Sequence, residues 1–245
     1  EDDFAQSLMG VLHETGHAMY ERGLPANWRL QPVGQARGMA LHESQSLLIE
    51  MQVCRGLEFL TFAAPVMQAA FNGTGAAWAP ENMQRLQARV ERGFIRVDAD
   101  EVTYPAHVIL RYRLERALIS GDMEIADLPS AWNDGMKELL GIVPDSDRVG
   151  CLQDIHWFDG AFGYFPTYTM GALAAAQIFQ AACAADGTIK DGISMGDFGP
   201  LMTWLRANIH GRGSFGTTDE ILIEATGAPL GTEAFKSHLK TRYLN

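Results

Sequence analysis

Apolar residues along this chain recur at three- and four-residue intervals, and runs that alternate apolar with polar residues are scarce. The first spacing belongs to a helix with one buried face and the second to a half-buried strand, so the pattern predicts an all-α protein. A first helix starts with Asp2 or Asp3 as N-cap, presents Leu8, Leu12 and Met19 as apolar contacts, and stops at Gly23 with Pro25 just beyond. Residues 24–37 carry the Pro, Gly and Asn of a loop. A second helix is predicted from about Met39 to Arg55, with others at about 57–71, 81–93 and 104–119, and one with Pro129 in its first turn that ends at Gly141. Residues 142–167 read as irregular, rich in Gly, Asp and aromatics. The Ala-rich stretch from Thr167 to Ala185 is apolar nearly all round, so it is expected to be central. Three more helices, near 197–209, 217–226 and 231–243, close the chain. With no internal repeat, low-complexity tract or linker, residues 1–245 read as a single all-helical unit.

Composition narrows the function classes. Among 245 residues, 47% are apolar and 20% charged, proportions of a soluble globular protein with a sizeable core. A net charge of −11 argues against nucleic acid as a partner, because a phosphate-binding face needs a surplus of Lys and Arg. Cys54, Cys151 and Cys183 are odd in number and form no CxxC pair, which suits free thiols in a reducing compartment better than a disulfide scaffold. No apolar run reaches the ~18 residues of a membrane span, and no basic n-region precedes an apolar stretch at the start. These features lead to an expectation of a cytoplasmic protein with no membrane partner.

The segment His13-Glu14-Thr15-Gly16-His17 supplies candidate chemistry. Residues four apart share a helix face, so His13 and His17 can offer two imidazoles to one metal ion, with Glu14 beside them to handle a water's proton. A catalytic zinc site usually has three protein ligands. The HExxHxxGxxH extension is excluded, since position 20 is Tyr and position 23 is Gly, so a third ligand must come from elsewhere. Glu43 and Glu50 on the predicted second helix are the candidates. Glu43 is preferred because His42 and Ser44 flank it with polar residues. Glu50 interrupts LLIEMQV and reads either as an acceptor orienting a ligand imidazole or as a solvent-facing position. The parts point to amide hydrolysis, with Glu14 taking the water's proton and returning it to the leaving amine. A donor to the developing oxyanion is also required, and His156, Tyr164 and Tyr168 in the irregular stretch are available.

Four segments carry a family resemblance: HETGH at 13–17, HESQ at 42–45, IRVDAD at 95–100 and GCLQDIHW at 150–157. In order and spacing they resemble the motifs of the M32 metallocarboxypeptidases, and GYFPTYT at 163–169 is similar to the same family. The resemblance implies an all-α, zincin-like fold, zinc or cobalt as the metal with one ion per chain, a homodimer, and release of single residues from peptides with a free C-terminus. It implies His13, His17 and Glu43 as metal ligands and Glu14 as general acid and base; Tyr168 and His156, available as oxyanion donors, are taken as the further catalytic groups. It also implies that His42, Arg96, Asp100, Gln153, Asp154 and Tyr164 bind substrate or support the site. Arg96 and Arg111 are each read either as the cation for the substrate carboxylate or as an ion-pair partner of nearby acids. Family members are roughly twice this length, and their upstream HPF and DxRxT motifs do not occur here, so the chain resembles the C-terminal part of such an enzyme. Two other readings stay open: a zinc aminopeptidase or endopeptidase, and an inert metal-binding helical module that needs an N-terminal partner segment.

Overall fold

The computed structural model describes residues 3–244, and among them it contains helices and turns but no strand. Eleven α-helices are found there: α1 (Phe4–Gly23), α2 (Gly38–Leu47), α3 (Leu57–Ala70), α4 (Pro80–Gln87), α5 (Tyr104–Ser120), α6 (Leu128–Leu140), α7 (Pro166–Ala185), α8 (Ile189–Met195), α9 (Gly199–Asn208), α10 (Thr218–Thr226) and α11 (Glu233–Tyr243). Contacts divide the chain into two compact units. One comprises residues up to Ala88 together with Met170 onward, and the other is Arg89–Thr169.

Local signals explain several boundaries. The Asp3 carboxylate accepts from the Gln6 backbone N–H and caps α1; the alternative cap, Asp2, lies outside the described residues. Thr217 and Glu220 form a reciprocal capping box that starts α10. Gly121 and Gly141 take left-handed conformations that end α5 and α6.

The first unit buries Met9 and Tyr20 of α1, Leu41 and Leu47 of α2, Phe59 and Leu60 of α3, and the Ala174–Ala176 and Ile178 face of α7 in one core. The expectation that the Ala-rich helix is central is met on this face. Small residues let helices approach closely. A Cβ on Gly16 would lie 2.4 Å from the Gln45 carbonyl oxygen and 2.6 Å from Ser46 Cα, so α1 and α2 touch backbone to backbone. The second unit has its own core of Leu110 and Leu114 from α5 and Trp132, Met136 and Leu140 from α6, with Cys151.

The structure departs from the sequence reading in three places. The helix predicted at about 81–93 stops at Gln87. Beyond it, the Glu91 N–H is taken by the Asp100 carboxylate rather than by a helical carbonyl, so a distant side chain overrides local propensity. Helix α8 falls in a stretch given no element; Asp186 accepts from the Thr188 N–H and hydroxyl before it, and Ile189 and Ile193 are buried one turn apart. The predicted helix from about Met39 to Arg55 is helical throughout, but Leu48–Cys54 switches to π-helical hydrogen bonding.

Candidate functional site

On α1, His13 and His17 stand one turn apart with ring centroids 5.0 Å from each other. Their Nε2 atoms face the Glu43 carboxylate of α2 at 3.8 Å and 3.4 Å respectively. One donor atom from each of the three residues lies within 4.8 Å of the others. Donors about 2.1 Å from a tetrahedral zinc ion stand roughly 3.4 Å apart, so the two measured separations suit a cation held between these groups. Two imidazoles and a carboxylate are also the donor chemistry of a catalytic zinc site.

The residues around this triad hold it in place. Glu50, in the π-helical segment, is 9% exposed, so it is not solvent-facing. Its Oε2 accepts from His13 Nδ1 at 2.9 Å, and its Oε1 accepts from Arg55 Nη2 at 2.6 Å. An ionised carboxylate can only accept, so His13 carries its proton on Nδ1 and turns the Nε2 lone pair toward Glu43. Burial pulls the His13 pKa down, but the Glu50 hydrogen bond and the charges of Glu43, Glu50 and Glu14 outweigh it and raise the net value above 6.5. Burial pushes Glu50 upward, yet the His13 bond and the Arg55 charge and bond win and leave it below its ordinary value. His42 packs its ring on His17 with centroids 4.5 Å apart and donates from Nε2 to Glu21 at 2.9 Å. Behind Glu43, a Cβ on Gly171 of α7 would meet Glu43 Cγ at 2.8 Å and Cβ at 2.9 Å, so only glycine leaves room for the carboxylate stem. Glu14 follows His13 on α1 with its side chain exposed.

The second unit gathers most of the remaining sequence candidates into another network. Arg96 donates through Nε and Nη2 to Asp154 Oδ1 at 2.9 and 2.8 Å, and Arg111 donates through Nε to Oδ2 at 2.6 Å. Gln153 Oε1 accepts from the Arg96 N–H and from Arg111 Nη2, both at 2.8 Å. Arg111 is fully buried, and burial pulls its pKa down to about 10 against the pull of Asp154. Arg111, like Arg96, is ion-paired with Asp154. The Arg96 guanidinium lies 4.7 Å from the Tyr168 ring centroid. Tyr168 OH is hydrogen-bonded to His156 Nε2 at 2.8 Å, and Tyr164 packs edge-on to Tyr168. Asp100 is occupied locally, accepting from the Val102 and Thr103 N–H groups and from Glu91, so it builds the turn that leads into α5. Arg55, Gly171, Tyr104 (which accepts from Arg96 Nη1) and Glu115 (which accepts from Trp157 Nε1 at 2.8 Å) were not singled out in the sequence.

The family model for Carboxypeptidase Taq (M32) metallopeptidase matches residues 1–243. The chain belongs to this family. It is 40% identical to thermostable carboxypeptidase 1 of Thermus thermophilus over 99% of its own length and 48% of that protein. It is 35% identical to carboxypeptidase 1 of Bacillus subtilis over its whole length and 49% of the relative. Among solved structures, Trypanosoma cruzi metallocarboxypeptidase 1 superposes with a TM-score of 0.95 at 44% identity, covering 99% of this chain and 51% of that one. The chain thus spans about half the length of the relatives it matches. Its all-helical fold is that of M32 carboxypeptidases over this half. No helix among the described residues is long and apolar enough to cross a membrane.

Proposed function

We propose that this chain is the metal-holding part of a carboxypeptidase that hydrolyses the C-terminal peptide bond of peptides with a free C-terminus. The observation that supports it is the meeting of His13, His17 and Glu43, within 4.8 Å, in a member of a metallopeptidase family. In this reading these three residues hold one divalent cation, zinc or cobalt. When bound, such an ion supplies a Lewis acid that polarises the scissile carbonyl and makes water easier to deprotonate. Glu14, adjacent to His13, takes the proton from the attacking water and later hands it to the leaving amine. Glu50 keeps His13 oriented, and His42 does the same for His17 by stacking. Tyr168 and His156 are assigned to donating hydrogen bonds to the developing oxyanion. Gln153, Asp154 and Arg96 form the network behind His156 and Tyr168, Tyr164 packs beside it, and Asp100 fixes the turn that begins the helix carrying Arg111.

The 245 residues are proposed to act as one catalytic part in a homodimer, in a cytoplasmic setting consistent with three free cysteines. A zinc aminopeptidase or endopeptidase uses the same donor set, and blocked peptides separate the three. A peptide with a free C-terminus is expected to be trimmed by one residue, whereas its C-terminal amide is not. Equal cleavage of the two would refute the carboxypeptidase assignment. Glu14→Gln is expected to retain one metal ion per chain and to lose about 10²–10⁴-fold in turnover. Stoichiometric metal with no turnover in the unmodified chain would favour the inert helical module, and activity restored by adding the N-terminal part of a relative that this chain does not match would support that partner dependence.

A further inference from the structure

We propose that Arg55 is a positioning residue for the His13 imidazole, and that the π-helical segment Leu48–Cys54 exists to bring it there. The inference rests on the metal-site reading above. In a regular α-helix a residue five places on is turned by about 500°, leaving it roughly 140° away from the first around the axis. Glu50 and Arg55 are five apart, so an unbroken α-helix would point them to different sides. The wider turns of a π-helix instead bring such a pair nearer to one side. The structure has π-helical turns at 48–54, and Arg55 is the residue just after them, its own N–H bonded to the Val53 carbonyl. Its Nη2 then reaches Glu50 Oε1 at 2.6 Å, while the other carboxylate oxygen accepts from His13 Nδ1 at 2.9 Å.

Each oxygen of Glu50 has a single assigned donor, and the carboxylate side chain is only 11% exposed. Removing the Arg55 donor leaves a buried carboxylate with one anchored oxygen, free to rotate about its last torsion and to weaken its grip on Nδ1–H. The His13 proton is then no longer confined to Nδ1, and the Nε2 lone pair facing Glu43 is partly lost. Partners at this remove from a metal commonly set its affinity by 10–100-fold.

Arg55→Met, which keeps the apolar stem but no charge, and Arg55→Lys, which keeps a cation, test this. In the metal-free protein, at a pH high enough to leave His13 neutral, ¹⁵N-histidine NMR is expected to show His13 as the Nδ1–H tautomer in the unmodified chain and as a mixture in Arg55→Met. Zinc affinity measured against a competing chelator is expected to fall about tenfold in Arg55→Met and by a smaller factor in Arg55→Lys. An unchanged His13 tautomer in both variants, or zinc affinity within twofold of the unmodified chain in both, overturns the proposal. Should the unmodified chain bind no zinc, the metal-site reading fails, and the tautomer measurement alone still decides the role of Arg55.

Discussion

Gly171→Ala tests whether close packing of α7 fixes the Glu43 carboxylate. An added methyl would sit 2.8 Å from Glu43 Cγ and 2.9 Å from its Cβ. Carbon contacts are comfortable from about 3.5 Å, so roughly 0.6 Å must be found by moving the Glu43 stem or by lifting α7 away from α2. Overpacking of this kind costs about 1–3 kcal/mol, while replacing a mid-helix glycine by alanine returns about 1 kcal/mol of helix propensity. The net expectation is a loss of about 0–2 kcal/mol, or a Tm lower by up to about 8 °C. Metal affinity should respond more sharply, because ligand distances tolerate only about 0.2 Å. A displacement of several tenths of an ångström at Glu43 is expected to weaken zinc binding at least about tenfold, read by chelator competition, with thermal unfolding followed in parallel. Gly10→Ala on α1, where an added Cβ meets nothing within 4 Å, is the control and should leave affinity unchanged. If Gly171→Ala bound zinc as tightly as the parent and melted higher, packing behind Glu43 would not be what holds it, and the reasoning would fail.

Two further predictions address other parts of the chain. Asp154→Asn removes the one charge that Arg96 and Arg111 share and leaves Arg111 buried without compensation, so the urea midpoint should drop by an amount equivalent to about 3–5 kcal/mol; a change under about 1 kcal/mol would refute the role given to this pair. His210 is 1% exposed and donates to Gln45 at 3.0 Å, and burial, with a contribution from Arg206, lowers its pKa to about 4. Between that value and its ordinary 6.5 the unfolded chain binds a proton that the folded chain does not, so stability should fall as pH falls from 6.5 toward 4, by about 3 kcal/mol for this group. His210→Gln should flatten that part of the urea-midpoint profile, and an unchanged slope would count against it.

Features that depend on regular helical spacing were legible in the sequence. His13 and His17 are four apart on an α-helix, and that geometry alone puts their rings on one face. The same holds for the Asp3 cap, whose carboxylate acts on a backbone N–H three residues away. What was not legible depends on distance in sequence or on departure from the regular period. Glu50 and Arg55 pair where the helix departs from the α register, and no spacing rule for α-helices connects residues five apart. Asp100 is read from a motif as lining or supporting the site, and only the fold shows what its carboxylate holds, the backbone N–H groups at 91, 102 and 103. Asp154 and Arg111 are 43 residues apart, and only the folded second unit shows that a fully buried guanidinium is balanced there.

The two glycines that flank α2 connect these observations. Gly16 lets α1 touch α2 at Gln45 and Ser46, and Gly171 lets α7 press on Glu43 from another side. A carboxylate ligand carried on a loop would have to be ordered each time a cation binds. Glu43 instead belongs to a helix held between two others, and His13 to a helix whose imidazole is already fixed by Glu50. The entropy of arranging the donors is therefore met during folding, by burial of Met9, Tyr20, Leu41 and Leu47 in the shared core, and little of it is left to be met by the metal. It follows that Gly171→Ala, though it removes no ligand, should weaken metal binding more than it weakens the fold, whereas a side chain at Gly16 would strike the Gln45 and Ser46 backbone and cost the fold first.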